Sequence, residues 1–247
     1  MGSNPVRVAN SKMETDRTLI VVPTYNEREN VGALVGQLFQ VAPDADVMLV
    51  DDNSPDGTVA AAEQLFGTNP RFSSLSRIGP RGIGRSLFDG YRVAVERGYA
   101  RLVQLDADFS HDPNMVPAMI NAIRDADVVI GSRYCRGGRV VNWPWHRRLL
   151  SRFANQYVSR ITGLAVRDST SGFRCWTRHA LQCLLEVGVT SEGYAFQVET
   201  VFRAQHEGLR IIEVPITFTD RRAGQSKMSG KVIFESMLKP WRLRFER

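Results

Sequence analysis

Nowhere does the chain hold an apolar run close to the roughly 20 residues that a helix needs to cross a bilayer. Charges interrupt every apolar stretch well short of that length, and no apolar core of the kind a secretory signal carries follows the polar stretch Met1 to Arg17. A membrane span and a secretory leader are therefore not expected, and residues 1–17 read as a disordered tail. Cysteine is scarce: Cys135, Cys175 and Cys183 are odd in number and lack metal-ligand spacing, which suits reduced thiols in a cytoplasmic protein. Internal repeats and low-complexity tracts are missing as well. One absence is local. Between Val128 and Arg167 there are eight arginines (133, 136, 139, 147, 148, 152, 160 and 167) and no acidic residue, in a chain of net charge +6. Such a block expects an anionic partner. Few aromatics interleave it and no nucleic-acid motif accompanies it, so a phosphate-bearing lipid or a membrane surface explains it at least as well as nucleic acid.

What is present suits one α/β domain spanning residues 18–247, in a chain of 247 residues with 43% hydrophobic and 23% charged side chains. The centre of the reading is Arg101 to Pro113, RLVQLDADFSHDP. Leu102, Val103 and Leu105 read as a buried strand that stops at two aspartates separated by Ala107. Strand periodicity puts Asp106 and Asp108 on one side of the chain, where two carboxylates repel unless a cation lies between them. Oxygen ligands with an incomplete shell suit Mg2+ or Mn2+, which then binds substrate phosphates. Taken alone, the triplet reads as a helix cap at Asp108 or a solvated turn, so the case for a metal comes from the rest of the chain.

Further strands are expected at Thr18 to Val22, Val47 to Val50, Val128 to Gly131 and Ile211 to Phe218. Helical spacing follows the first, at Val31, Leu34, Val35, Leu38 and Phe39, and recurs at Leu87, Tyr91 and Ala94, at Met115, Met119 and Ile123, and over Tyr194 to His206. Alternating strand and helix predict a mixed, mostly parallel sheet flanked by helices, with polar turns at the strands' carboxyl ends forming a ligand site. IGPRGIG at residues 78–84 resembles a dinucleotide fingerprint, but Leu87 stands where its third glycine belongs; its glycines suit a backbone lying near a phosphate or sugar instead. Residues 135–145 read as a loop. Leu149, Leu150, Phe153, Tyr157, Val158 and Ile161 then form a wide apolar stripe, either a core helix with a solvated basic face or an interfacial helix near lipid head groups. A last amphipathic helix is expected over about residues 229–244.

The blocks VVPTYNERENV, VDDNSPDGT, QLDADFSHDP, GSRY, DSTSGFR, EGYAFQVE and RRAGQSKM occur in one order. That order resembles the polyprenol (dolichol) phosphate mannose synthases, inverting glycosyltransferases with a GT-A type (Rossmann-like) sheet. The resemblance spans about Leu19 to Arg242 and implies a metal-dependent transfer of mannose from GDP-mannose to a polyprenyl phosphate, with UDP-glucose or another nucleotide sugar as the alternative donor. It implies that Pro23, Tyr25, Glu27, Val50 and Asp52 hold the nucleotide, and that Asp106, Ala107 and Asp108 form the metal and diphosphate motif. Arg133 is implied at the reaction centre, Arg221 and Lys227 in a loop over the donor phosphates, and Arg147 and Ser151, with Arg133, at the acceptor phosphate. Ser110 stands where some relatives carry a metal-binding glutamine, so water is implied in its place. Some relatives carry two C-terminal membrane spans, which this chain lacks. The resemblance thus implies a peripheral protein on the cytoplasmic face of a membrane, attached through amphipathic helices, with an acceptor and interface region at about residues 135–165, or through a membrane-anchoring partner protein.

Overall fold

The computed structural model describes residues 16–220 and 230–245. The first half is a series of strand and helix units: β1 (Thr18–Thr24), α1 (Arg28–Val41), β2 (Asp46–Asp51), α2 (Thr58–Phe66), β3 (Phe72–Ser76), α3 (Ile83–Glu96) and β4 (Arg101–Gln104). A short 3-10 turn (Pro113–Met115) leads into α4 (Val116–Ala122) and β5 (Val128–Ser132). After these come β6 (Arg139–Val141), α5 (Trp145–Thr162), β7 (Arg174–Thr177), α6 (Arg178–Val187), α7 (Gly193–His206), β8 (Ile211–Pro215), β9 (Thr217–Thr219) and α8 (Gly230–Phe245).

Seven strands form one sheet in the order β3-β2-β1-β4-β7-β5-β8. Every pairing is parallel except those of β7, which runs antiparallel to both β4 and β5. The expected mostly parallel, GT-A-like sheet is therefore what forms. Helices cover both faces, which is why the inner strands read as unbroken apolar runs. In β1, Leu19 and Val21 point into one core with Leu87, Tyr91, Trp176 and Phe196. Ile20 and Val22 point into the other with Val31, Leu34, Leu38 and Met119. Truncating one such leucine to alanine typically costs roughly 2–5 kcal/mol. Helix α3 lies so close to β1 that a Cβ on Gly90 would come within 2.8 Å of Val21 Cγ1, so only glycine fits there.

Strand ends differ from the sequence reading by one or two residues, but four elements were not anticipated. Strand β3 (FSSLS) is a half-polar edge, and β7 begins on a buried arginine. Helix α6 follows β7 directly. The expected loop at 135–145 instead contains β6, which pairs in parallel with β9 as a second, two-stranded sheet. The expected strand 211–218 accordingly divides at Ile216, its first part in the main sheet and its second in the small one. Helix α5 ends at Gly163, whose φ of +75° makes the left-handed turn that suits glycine after a helix.

Candidate active site

The carboxyl ends of β2, β1 and β4 lie side by side, and the loops that leave them enclose a cavity of about 440 Å³. At its β1 and β2 side the loops are stitched together. Asn26 N–H donates to Ser54 Oγ (2.9 Å), Glu27 N–H to Thr58 Oγ1 (3.0 Å) and Arg28 N–H to Asp56 Oδ2 (3.2 Å). Asn26 takes φ +59°, which turns the chain so that Pro23, Tyr25 and Glu27 all line the cavity. Asp52 lines it too, its carboxylate braced by an ion pair from Arg77 and by Gly82 N–H at 2.8 Å. Arg81 lies over the Tyr25 ring, 4.3 Å from its centroid, and hydrogen-bonds the Tyr25 hydroxyl. Val50 does not belong to this lining: its side chain is fully buried in the core beneath.

At the β4 side Asp106, Ala107 and Asp108 face the same space. The turn that presents them is strained, with Phe109 at φ +60°, a left-handed conformation that costs a side-chain-bearing residue roughly 1–2 kcal/mol. Asp108 Oδ1 accepts from Ser110 N–H at 3.0 Å. The Ser110 hydroxyl, in a residue 1% exposed, has no partner among the described residues. His111 is buried between the rings of Phe173 and Phe218, and its Nδ1 accepts from Asp106 N–H at 3.3 Å. Burial pulls its pKa below the ordinary histidine value, against the opposing pull of Asp106 and Asp108, which agrees with a neutral ring accepting at Nδ1. Gly172 completes the wall: a Cβ there would sit 3.3 Å from Asp106 Oδ1. Among the described residues no three His, Cys, Asp or Glu side chains converge as a metal cage. Two carboxylates facing an open cavity, with the orphaned Ser110 hydroxyl buried next to Asp108, fit a hard divalent ion that takes its remaining ligands from substrate oxygens.

The arginine block borders the cavity instead of lining it. Arg133 gives the two-pronged edge of its guanidinium to Asp168, through Nε to Oδ2 (2.7 Å) and Nη2 to Oδ1 (2.6 Å), so the fork expected at a phosphate is already filled. Burial alone would raise the Asp168 pKa, but the charge and hydrogen bonds of Arg133 outweigh it and hold the carboxyl below its ordinary range. Arg133 Nη2 also donates to Thr170 Oγ1 at 2.7 Å, and Thr170 does line the cavity. Arg147, in the first turn of α5, pairs with Asp220 at 3.0 Å and lies 4.0 Å over the Trp143 ring. One turn on, Ser151 Oγ accepts from the Tyr134 hydroxyl at 2.7 Å. Arg221 and Lys227 lie outside the described residues.

The two readings of the α5 stripe are separated by exposure. Val158 and Ile161 are buried, but Trp145, Leu149, Leu150 and Phe153 are 60–73% exposed. Helix α8 extends this apolar surface. Trp241 Nε1 donates to Tyr157 Oη at 2.9 Å, Phe153 stacks on Tyr157, Trp241 stacks on Phe245, and Phe245 is 75% exposed. No helix among the described residues is long and apolar enough to cross a membrane.

The cavity also gathers residues that the sequence reading passed over: Arg81, Thr170, Gly172, Gly193 and Gln197. The RGIG glycines and the hydroxyl-rich DSTSGFR turn pointed toward the first three. Nothing periodic marks Gln197.

Residues 19–185 match the family model of glycosyl transferase family 2. The chain is 43% identical over 227 residues to a polyprenol monophosphomannose synthase of Mycolicibacterium smegmatis, covering 91% of this chain and 86% of that one. It is 41% identical to an undecaprenyl-phosphate mannosyltransferase of Micrococcus luteus, covering 90% and 91%. A dolichol-phosphate mannosyltransferase of Pyrococcus furiosus is 33% identical, with 91% of this chain matching 62% of that protein. Among solved structures, glucosyl-3-phosphoglycerate synthase from Mycobacterium tuberculosis with Mg2+ and UDP superposes with a TM-score of 0.69 at 16% identity, covering 94% of this chain and 83% of that one. At that identity the likeness concerns the fold.

Proposed function

The chain belongs to glycosyl transferase family 2, among its polyprenyl-phosphate mannose synthases, and from that premise we propose that it transfers mannose from GDP-mannose to a polyprenyl monophosphate with inversion, releasing GDP. The observation that carries this reading is the meeting, in one cavity, of Tyr25, Glu27 and Asp52 with Asp106 and Asp108, beside a helix that offers arginines on one flank and bare apolar side chains on another.

The nucleoside occupies the β1 and β2 side, where Tyr25 and Arg81 offer a ring and a planar cation and the braced Asp52 offers a fixed acceptor. The diphosphate lies toward β4. Asp106 and Asp108 would hold Mg2+ or Mn2+ there, and such an ion would supply Lewis-acid stabilisation of the departing diphosphate. Arg221 and Lys227 stay in this reading as further cations for the same charge.

The attacking group is an oxygen of the lipid phosphate. A phosphate monoester has a second pKa of about 6, so it is largely ionised at neutral pH and needs no general base. What the protein must do is hold two anions together while one attacks in line. Arg147 and Ser151, half-buried at the start of α5, take the acceptor phosphate, Asp220 giving way as the stronger anion arrives. Arg133, locked to Asp168, contributes position more than free charge: through Thr170 it fixes the wall between donor and acceptor. Attack opposite the leaving group converts an α-linked donor into a β-linked product.

The apolar residues of α5 and α8 seat in the membrane interface, with Arg148, Arg152 and Arg244 at head-group level, so the protein works peripherally, with or without an anchoring partner protein. Incubation with Mg2+, a short polyprenyl phosphate and either labelled GDP-mannose or labelled UDP-glucose tests the reading. Label should enter lipid only from GDP-mannose; entry from UDP-glucose alone would overturn the donor.

A further inference from the structure

Behind the cavity wall, a line of buried amides determines which end of one side chain faces the substrate. Gln104, the last residue of β4, is fully buried, and its Oε1 accepts from Trp176 Nε1 at 3.0 Å and from the Tyr91 hydroxyl. An indole N–H can only donate, so the oxygen of Gln104 has to face Trp176 and its NH2 has to face the other way. Tyr91 is satisfied in the same orientation, its hydroxyl donating to that oxygen. The two hydrogens of Gln104 Nε2 go to the Gly172 carbonyl at 3.0 Å and to Gln197 Oε1 at 3.4 Å. The polarity is thereby handed on. With Oε1 of Gln197 turned toward Gln104, its Nε2 is the end left over; it has no hydrogen-bond partner among the described residues, and the side chain lines the cavity.

Its place in the cavity follows from the same contacts. Gly172, which shares the Gln104 amide, packs against Asp106. Gln197 therefore lies beside the aspartate pair, two strands along from Asp52 in the order β2-β1-β4, roughly 10 Å at about 4.8 Å per strand. Gly193, four residues earlier on the same face of α7, also lines the cavity and leaves it open. The sugar of a nucleotide-sugar donor lies at this end, next to carboxylates that only accept hydrogen bonds, so a neutral donor such as Gln197 supplies what they cannot.

We propose that Gln197 reads a hydroxyl of the donor sugar as a hydrogen-bond donor, and that Gln104 is a positioning residue that holds it in that polarity. This inference rests on the nucleotide-sugar reading above. It is tested by titrating GDP and GDP-mannose into the full chain with Mg2+ by calorimetry, for the wild type, Gln197→Ala and Gln104→Glu. Gln197→Ala should weaken GDP-mannose about 10-fold, equivalent to about 1.4 kcal/mol, and leave GDP within about twofold. Gln104→Glu offers no NH2, so Gln197 must turn its own NH2 inward and show its oxygen to the sugar; it should lose GDP-mannose at least as strongly, again sparing GDP. If the buried carboxylate prevents folding, Gln197→Ala decides alone. Equal losses of GDP and GDP-mannose, or no loss of either, in Gln197→Ala would overturn the inference. A wild-type chain that uses a UDP-sugar and ignores GDP-mannose would overturn the donor and not this inference, which would then be read from UDP against that sugar nucleotide in the same variants.

Discussion

Arg133 and Asp168 form a closed pair: two prongs of the guanidinium and the Arg133 backbone N–H all fall on one carboxylate, which is wholly buried. The arginine proposed at the reaction centre is thus also a structural element, and variants there need a stability measurement beside the kinetic one. Arg133→Ala strands a buried carboxylate and should cost roughly 3–5 kcal/mol in urea unfolding. The pair also has a pH signature. Asp168 titrates below its unfolded value of about 3.9, so its contribution is complete above that pH and is lost as pH falls toward its lower folded value. The urea midpoint should therefore drop on acidification below about pH 4 in the wild type, and the part owed to this pair should vanish in Asp168→Asn. An unchanged acid limb in that variant would show that the pair contributes little.

Asp108→Ala should reduce transfer by at least about 100-fold at saturating Mg2+, since a lost metal contact removes charge stabilisation from the leaving group. The fold should persist, because two neighbouring carboxylates repel when no cation lies between them. Thermal unfolding without added metal should shift little, relief of that repulsion offsetting the lost bond from Ser110 N–H to Asp108 Oδ1. Full activity of the wild type in excess chelator would contradict this account.

Arg81 stacks on Tyr25 at the proposed nucleoside side and has no carboxylate partner among the described residues. Arg81→Ala should raise the Kd for GDP and for GDP-mannose equally, by about 5- to 30-fold given about 1–2 kcal/mol for a partly desolvated cation–π contact. The turnover number at saturating donor should stay near wild type. A fall in turnover without a change in GDP affinity would place Arg81 at the phosphates instead.

Leu150 and Phe153 are largely exposed, Phe153 stacking on Tyr157, so Leu150→Asp with Phe153→Asp should change the unfolding free energy by no more than about 1 kcal/mol. The same double variant should lose cosedimentation with phosphatidylglycerol-containing vesicles. Undiminished vesicle binding would move the membrane surface elsewhere on the molecule.

Much of the fold was legible because its central strands are covered on both faces, which writes β1, β2, β4 and β5 as apolar runs. The elements that escaped notice break that rule for physical reasons. Strand β7 opens on Arg174, which is completely buried; its guanidinium donates to the carbonyls of Ser169 and Ser171 and to Thr200 Oγ1, and burial lowers its pKa to about 10. A strand built around a satisfied arginine looks like a polar turn in sequence. The edge strand β3 needs little apolar surface, and β6 and β9, three residues each, are too short to show a strand period. In the site, Asp106 and Asp108 were legible from the strand that ends before them. Gln104 and Gln197 were not, since their meaning lies in a hydrogen-bond direction set by Trp176, a residue 72 positions away.

The central claim is that the aspartate-lined cavity releases a nucleotide while α5 presents a lipid phosphate to the far side of the sugar. The most direct test is to incubate the full chain with GDP-mannose, Mg2+ and a short polyprenyl phosphate, and to determine the mass and anomeric configuration of the lipid product by mass spectrometry and NMR. The account predicts a polyprenyl mannosyl phosphate with the β linkage. An α-linked product, or free mannose with no mannosylated lipid, would contradict it.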